Sequence, residues 1–207
     1  RQPGGFVADC RILASISLLL LCGLSQAGPT ITWERVSAAA PWGVRAMPRG
    51  GLLDGNFYVI AGRAGAFTIY GDTWRSADGV NWQKVYDTNQ SFINDFFVFK
   101  NRLYCATSKA SGGLIFMSED GTNWVENFFS EKDVNFFKFS AFSNNLYVGS
   151  GDAGRIYKSF DGKKWEMAFQ TDEEDVRVMR LFNGYLYFGS SPKGRVFRTT
   201  ISNTPPP

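Results

Sequence analysis

An all-β fold, a β-propeller of four-stranded blades, is predicted by three observations. A six-residue phrase recurs four times, its copies are about forty residues apart, and four strand-like runs fall within each period. The phrase is glycine, any residue, a strand-type residue, an aromatic, any residue, then Ser or Thr. Its copies are Gly71-Asp72-Thr73-Trp74-Arg75-Ser76, Gly113-Leu114-Ile115-Phe116-Met117-Ser118, Gly154-Arg155-Ile156-Tyr157-Lys158-Ser159 and Gly194-Arg195-Val196-Phe197-Arg198-Thr199. Their glycines step by 42, 41 and 40 residues. A strand-rich period near forty is what one propeller blade occupies.

Each period opens with an apolar strand, a turn at Asn or Gly, and a second strand with tyrosine in register. The four are Leu52-Leu53, Gly55, Phe57-Tyr58-Val59-Ile60; Phe96 to Phe99, Asn101, Leu103-Tyr104-Cys105-Ala106; Phe139 to Phe142, Asn144, Leu146-Tyr147-Val148-Gly149; and Leu181-Phe182, Asn183, Leu186-Tyr187-Phe188-Gly189. The repeated phrase supplies the third strand. Three copies then run into a turn and a tryptophan: Ser76, Asp78, Gly79, Trp82; Ser118, Asp120, Gly121, Trp124; and Ser159, Asp161, Gly162, Trp165. Asp-Gly between strand-like runs is a hairpin signal, because Gly accepts positive φ and the carboxylate can take backbone amides inside the turn. The tryptophan opens the fourth strand.

The fourth copy is followed by neither an Asp-Gly turn nor a tryptophan. Ile31-Thr32-Trp33-Glu34-Arg35-Val36, near the other end, matches the missing Trp-led strand. The economical expectation is a four-bladed ring, closed by that segment completing the C-terminal blade, since an open strand edge is a liability. The alternative is a piece of a longer propeller. Residues 28–200 are expected to form the propeller and 201–207 a Pro-rich tail.

Ahead of it, Ile12 to Leu24 is an apolar run preceded by Arg11 and followed by Ser25-Gln26-Ala27. This reads as a secretory signal peptide over residues 1–27, cut after Ala27, and hence a secreted or periplasmic protein. The run is short for a stable membrane span.

Composition narrows the chemistry. The net charge is +3 and no basic block occurs, which argues against nucleic-acid partners. The chain has no histidine, so Ser-His-Asp and Cys-His nucleophilic systems and His-ligated metals do not apply. No metal and no cofactor is expected. Cys105, placed in a strand, reads as a small buried hydrophobe.

The three Ser-x-Asp-Gly-x-x-Trp turns resemble Asp-boxes, also called BNR repeats, of sialidase-like propellers. The first blade resembles bacterial kelch and galactose-oxidase-like propellers, through Trp33-Glu34-Arg35-Val36, Pro41-Trp42, Arg49-Gly50, Asn56 to Gly62 and Asp72 to Trp82. The resemblance implies a propeller over about residues 31–200. It also implies that Asp78, Asp120 and Asp161 are turn staples at the outer end of each blade. It does not choose a function, since such propellers serve as hydrolases, lyases, lectins and scaffolds.

Two loop sets would form the ligand face: 37–48, 87–95, 130–137 and 171–177, and 62–70, 107–113, 150–154 and 190–194. Aligning the first strands puts Arg49, Asp95 and Lys138 at one depth, with Arg180 nearby. Three cations and one acid in a narrow channel suggest an anionic or hydroxyl-rich ligand, or else a ring of internal salt bridges. Trp42, Arg63 and Lys109 could grip a sugar from the loops. The expected function is a binding or interaction module for a glycan or a protein surface. The alternative is a carbohydrate-active enzyme built on the loop carboxylates Asp95, Asp133, Glu173, Glu174 and Asp175.

Overall fold

The computed structural model describes residues 31–65, 68–88, 92–108 and 111–200. The expected signal peptide and the Pro-rich tail lie outside them. Every strand falls within one compact unit that begins at Val36.

Four antiparallel meanders follow one another. The first sheet is β1 (Arg49–Leu53), β2 (Asn56–Ala64), β3 (Thr68–Ser76) and β4 (Gln83–Asp87). The second is β5 (Phe92–Phe99), β6 (Arg102–Ser108), β7 (Gly113–Ser118) and β8 (Trp124–Ser130). The third is β9 (Phe136–Phe142), β10 (Asn145–Ser150), β11 (Arg155–Ser159) and β12 (Glu166–Gln170). The fourth has three strands, β13 (Asp175–Phe182), β14 (Tyr185–Ser191) and β15 (Val196–Arg198). The first strands β1, β5, β9 and β13 lie side by side in that order. The molecule is therefore an all-β, propeller-like stack of blades.

Hairpin chemistry sets the register. Between first and second strands sit two-residue loops with both residues at positive φ: Asp54-Gly55, Lys100-Asn101, Ser143-Asn144 and Asn183-Gly184. That geometry matches strand twist, and Asn, Asp and Gly adopt it most readily. Lys100 and Ser143 adopt it without that advantage.

The core lies between blades. Each interior sheet buries one face against the sheet before it and the other against the sheet after it. Leu53, Tyr58 and Ile60 of the first sheet pack with Phe96, Leu103, Cys105 and Trp124 of the second. Tyr104, Ile115 and Phe99 of the second pack with Phe136, Phe139, Leu146, Val148 and Tyr157 of the third. Cys105 is fully buried and burial pushes its thiol pKa up, in keeping with a packing role.

Trp124 and Trp165 join these clusters. Trp124 lies between Tyr86 of the first sheet (6.2 Å) and Phe96 of its own (6.3 Å). Trp165 stacks on Phe128 of the second sheet at 5.8 Å. Phe169, at the matching place in the third sheet, meets Phe188 and Phe197 of the fourth at 5.9 and 6.3 Å.

The strand expected over Ile31–Val36 is not formed. These residues carry no strand and Trp33 is 96% exposed. The fourth sheet accordingly ends at β15, with three strands.

Candidate functional site

The Ser-x-Asp-Gly turns are self-contained hydrogen-bond knots. Asp120 Oδ1 accepts from the amides of Thr122 (2.8 Å) and Asn123 (2.7 Å), and Oδ2 accepts from Asn123 Nδ2 (2.7 Å). Ser118 Oγ accepts from the Gly121 amide at 2.8 Å, and the Trp124 indole donates to the Gly121 carbonyl at 3.2 Å. Asp78 repeats the pattern with Val80, Asn81, Ser76 and Trp82. Asp161 takes the amides of Lys163 and Lys164, both at 2.8 Å, while Trp165 turns instead to Asn127 Oδ1. These donors hold all three carboxyls below the ordinary range, Asp161 at about 2. Hydrogen bonds to the charged form are what lower each of these pKa values.

The loop carboxylates are occupied in the same way. Asp133 is completely buried. It accepts from Ser150 Oγ (2.6 Å), Ser130 Oγ (2.7 Å), the Tyr157 hydroxyl (2.6 Å) and Arg155 (3.2 Å). Burial, then the bond to Asp133, pushes the Tyr157 pKa up. Glu173 lies beside Arg195 at 3.2 Å and accepts from the Lys193 amide. Asp175 takes Ser191 Oγ at 2.8 Å and the Arg177 guanidinium at 2.6 Å. Glu174 is exposed, its amide bonded to the Ser191 carbonyl. In the first sheet, Asp72 is clamped by Arg45, whose guanidinium also lies over the Tyr70 ring at 4.1 Å. Asp133, Asp175 and Asp72 each tie a loop to a strand, and Glu173 ties one loop to another.

The expected channel residues divide. Lys138 Nζ meets Asp95 Oδ1 at 2.7 Å. Arg49 Nε donates to the Asn94 carbonyl at 2.8 Å, and its Nη1 to the carbonyl of Met47 at 3.1 Å. Arg180 donates to the Met179 carbonyl and pairs across the ladder with Tyr187, on the exposed face of the fourth sheet. Of the three cations, Lys138 meets a carboxylate, whereas Arg49 and Arg180 donate to backbone carbonyls. Trp42 packs on Trp82 (4.9 Å) and Trp74 (5.8 Å). The Arg63 backbone bridges to Ala46 while the residue stays exposed. Lys109 lies outside the described residues.

A different set comes together. In β5, β9 and β13 the ladder to the second strand slips by one residue at the same place, leaving Asn94, Phe137 and Arg177 unpaired in register. A β-bulge re-aims its extra side chain, and bulges concentrate next to functional sites. Here they form a row across three blades. Arg49 holds the Asn94 carbonyl, and Asn94 Nδ2 donates to Ser108 Oγ (2.6 Å) and the Phe136 carbonyl (2.8 Å). The Arg177 guanidinium lies 4.5 Å from the Phe137 ring centre. The row sets the Phe137 ring and the exposed Arg177 guanidinium at the loop end of the first strands, beside an Asn94 amide already engaged by Ser108 and Phe136. These residues share one spacing, five before Phe99, Phe142 and Phe182, next to the position four before that the sequence alignment singles out. The apolar run Phe92-Ile93-Asn94-Asp95-Phe96, broken by two polar residues in succession, was the available signal.

A cavity of about 330 Å³ opens beside the fourth sheet, lined by Ile156, Phe169, Leu186, Phe188 and Phe197, with Lys158 and Arg198 at its rim. Its lining carries no carboxylate. Among the described residues, no helix is long and apolar enough to cross a membrane.

No family model and no curated protein matches the chain. Solved structures do. The chain is similar to one in a nidogen/laminin complex, at 15% identity and TM-score 0.55, over 73% of this chain and 59% of that one. It is similar to YjhT at 14% identity and TM-score 0.56, over 73% of this chain and 60% of that one. At such identities the likeness shows the fold. The chain spans about three-fifths of the length of these neighbours.

Proposed function

We propose that the protein is a secreted or periplasmic binding module of propeller type, and that its ligand is a carbohydrate taken at the loop end of the first strands. The observation that carries this reading is the bulged row Asn94, Phe137, Arg177 with Arg49 beside it. Sugars are recognised by planar hydrogen-bonding side chains next to an apolar or aromatic surface, which this row supplies. A binding rather than hydrolytic role is favoured by the state of the buried loop carboxylates. Asp95, Asp133, Glu173 and Asp175 are each tied to strand or loop donors, whereas glycoside hydrolysis needs two free carboxyls flanking a bond.

A second reading, recognition of a protein surface, has one specific support: the first of the two neighbours belongs to a complex between two proteins. The test is glycan-array binding of the purified protein, with Arg177→Ala and Phe137→Ala alongside. Glycan binding lost in both variants supports the reading. Binding by wild type and variants alike places the site elsewhere, and no glycan bound at all favours the protein-surface reading.

A further inference from the structure

The tips of the four hairpins between first and second strands, Asp54-Gly55, Lys100-Asn101, Ser143-Asn144 and Asn183-Gly184, are all exposed. The tips of the two interior sheets are exposed like the others, so exposure here belongs to the turn and not to its place in the chain. One tip differs in chemistry. Asn183 is the one asparagine in the sequence followed by glycine. Both residues of this tip have left-handed φ, 47° and 78°. A Cβ on Gly184 would meet nothing within 4 Å, so its amide nitrogen is sterically open. Among the described residues, neither the Asn183 side chain nor the Gly184 amide has a hydrogen-bond partner.

The three Asp-Gly turns of the repeat carry the same adjacent glycine and are closed off. The Gly79 and Gly121 amides donate to Ser76 Oγ and Ser118 Oγ, both at 2.8 Å. Hydrogen bonds, foremost from Asn81, Asn123 and Lys164, hold the Asp78, Asp120 and Asp161 carboxyls below their ordinary range. An ionised carboxylate is a poor electrophile with no good leaving group. A primary amide is a better electrophile and can lose ammonia. Asp54-Gly55, at the first hairpin tip, likewise carries an acid in place of the amide.

We propose that Asn183 is a site of spontaneous covalent modification, at which the Gly184 amide nitrogen attacks the Asn183 side-chain carbonyl and closes a cyclic imide. The new C–N bond replaces the bond to Nδ2, which leaves as ammonia carrying the proton given up by Gly184. Water then opens the imide. Attack at the side-chain carbonyl gives aspartate, and attack at the main-chain carbonyl gives isoaspartate, in which the chain runs through the former side chain. Ring closure needs the Asn183 peptide to rotate out of its turn, which local opening of an exposed tip permits. Aspartate keeps the turn, since Asp accepts positive φ as Asn does. Isoaspartate adds a carbon to the main chain of a loop whose length sets the register, and so loosens the pairing of Phe182 with Tyr185.

The experiment is ageing of the protein at neutral pH, folded and in urea, followed by peptide mapping with mass spectrometry and an isoaspartate-specific methyl-transfer assay. In the folded protein, deamidation is expected at Asn183 ahead of every other asparagine, with isoaspartate in the same peptide and none at Asp78, Asp120 or Asp161. In urea those three aspartates are expected to gain isoaspartate as well. Fresh Asn183→Asp is expected to melt like fresh wild type, and aged wild type to melt lower as isoaspartate accumulates. An Asn183 that reacts in urea and stays an amide in the folded protein overturns the proposal. So does isoaspartate that appears in the repeat turns of the folded protein as early as at Asn183.

Discussion

Lys138 of the third sheet reaches back across a blade boundary to Asp95 of the second, Nζ to Oδ1 at 2.7 Å, while the other oxygen of Asp95 takes the Phe139 amide at 2.9 Å. Asp95 is buried and Lys138 half-buried. Removing the cation leaves a carboxylate in a poorly solvated place with one donor. Lys138→Met is therefore expected to destabilise the protein by about 1–3 kcal/mol, the reverse of what charge repulsion alone would give. A urea titration checks this, and Asp95→Asn in the Lys138→Met background should recover much of the loss. A stabilised single variant would show that the ion pair is not formed in solution.

Removing a staple should weaken the fold without touching ligand binding. Asp120→Ala deletes the acceptor for two amides and one side-chain amide, and is expected to cost about 1–2 kcal/mol. Any glycan affinity should persist in the folded fraction. Unchanged stability with lost affinity would make this turn a binding site.

The acid limb of stability should carry the mark of these turns. The backbone amides of Lys164 and Lys163 hold the Asp161 carboxyl at about 2, below its ordinary 3.8. A carboxyl depressed in the folded state stabilises it above the unfolded value. That contribution is lost as pH falls through the folded value. Stability should drop between about pH 4 and pH 2, and Asp161→Asn should flatten the drop. Thermal melts at stepped pH measure both.

Glycines at equivalent turn positions should differ in what they tolerate. Gly79 and Gly162 share a left-handed φ of 77° and 73°, so Ala at either is strained by about 1–2 kcal/mol. Gly79→Ala meets open space, whereas Gly162→Ala meets the Tyr104 hydroxyl. The second should cost about 1–3 kcal/mol more. Tyr104→Phe should return part of that, because this hydroxyl is buried without a hydrogen-bond partner. Equal costs for the two alanines would show that Tyr104 does not press on the Gly162 turn in solution.

The fold was legible because its signals are local. Asp-Gly turns, second-strand tyrosines and the Trp at the head of each fourth strand all follow from neighbours within a few residues, and they place the strands of the four sheets. The loop-end row was not legible. Asn94, Phe137 and Arg177 share one spacing, five before Phe99, Phe142 and Phe182, but they are left unpaired by a one-residue slip that depends on two strands at once, which no single-strand pattern shows. Arg180 lies beyond the slip, and its side chain shares a face with Tyr187 and Phe182. That no strand forms over Ile31–Val36 also lies beyond local pattern, since strand propensity cannot supply a ladder.

The two-residue loops between first and second strands bear on how the chain finds its fold. Such a loop admits a single register, and a slip by one would send every core side chain to the wrong face. Each pair of inner strands can thus form as a local hairpin, on a timescale of about microseconds, before any contact between blades is made. Lys100 and Ser143 are the weak points of this nucleation, as neither residue favours positive φ. Glycine at either position should speed refolding of its own hairpin and hardly change the rate of unfolding.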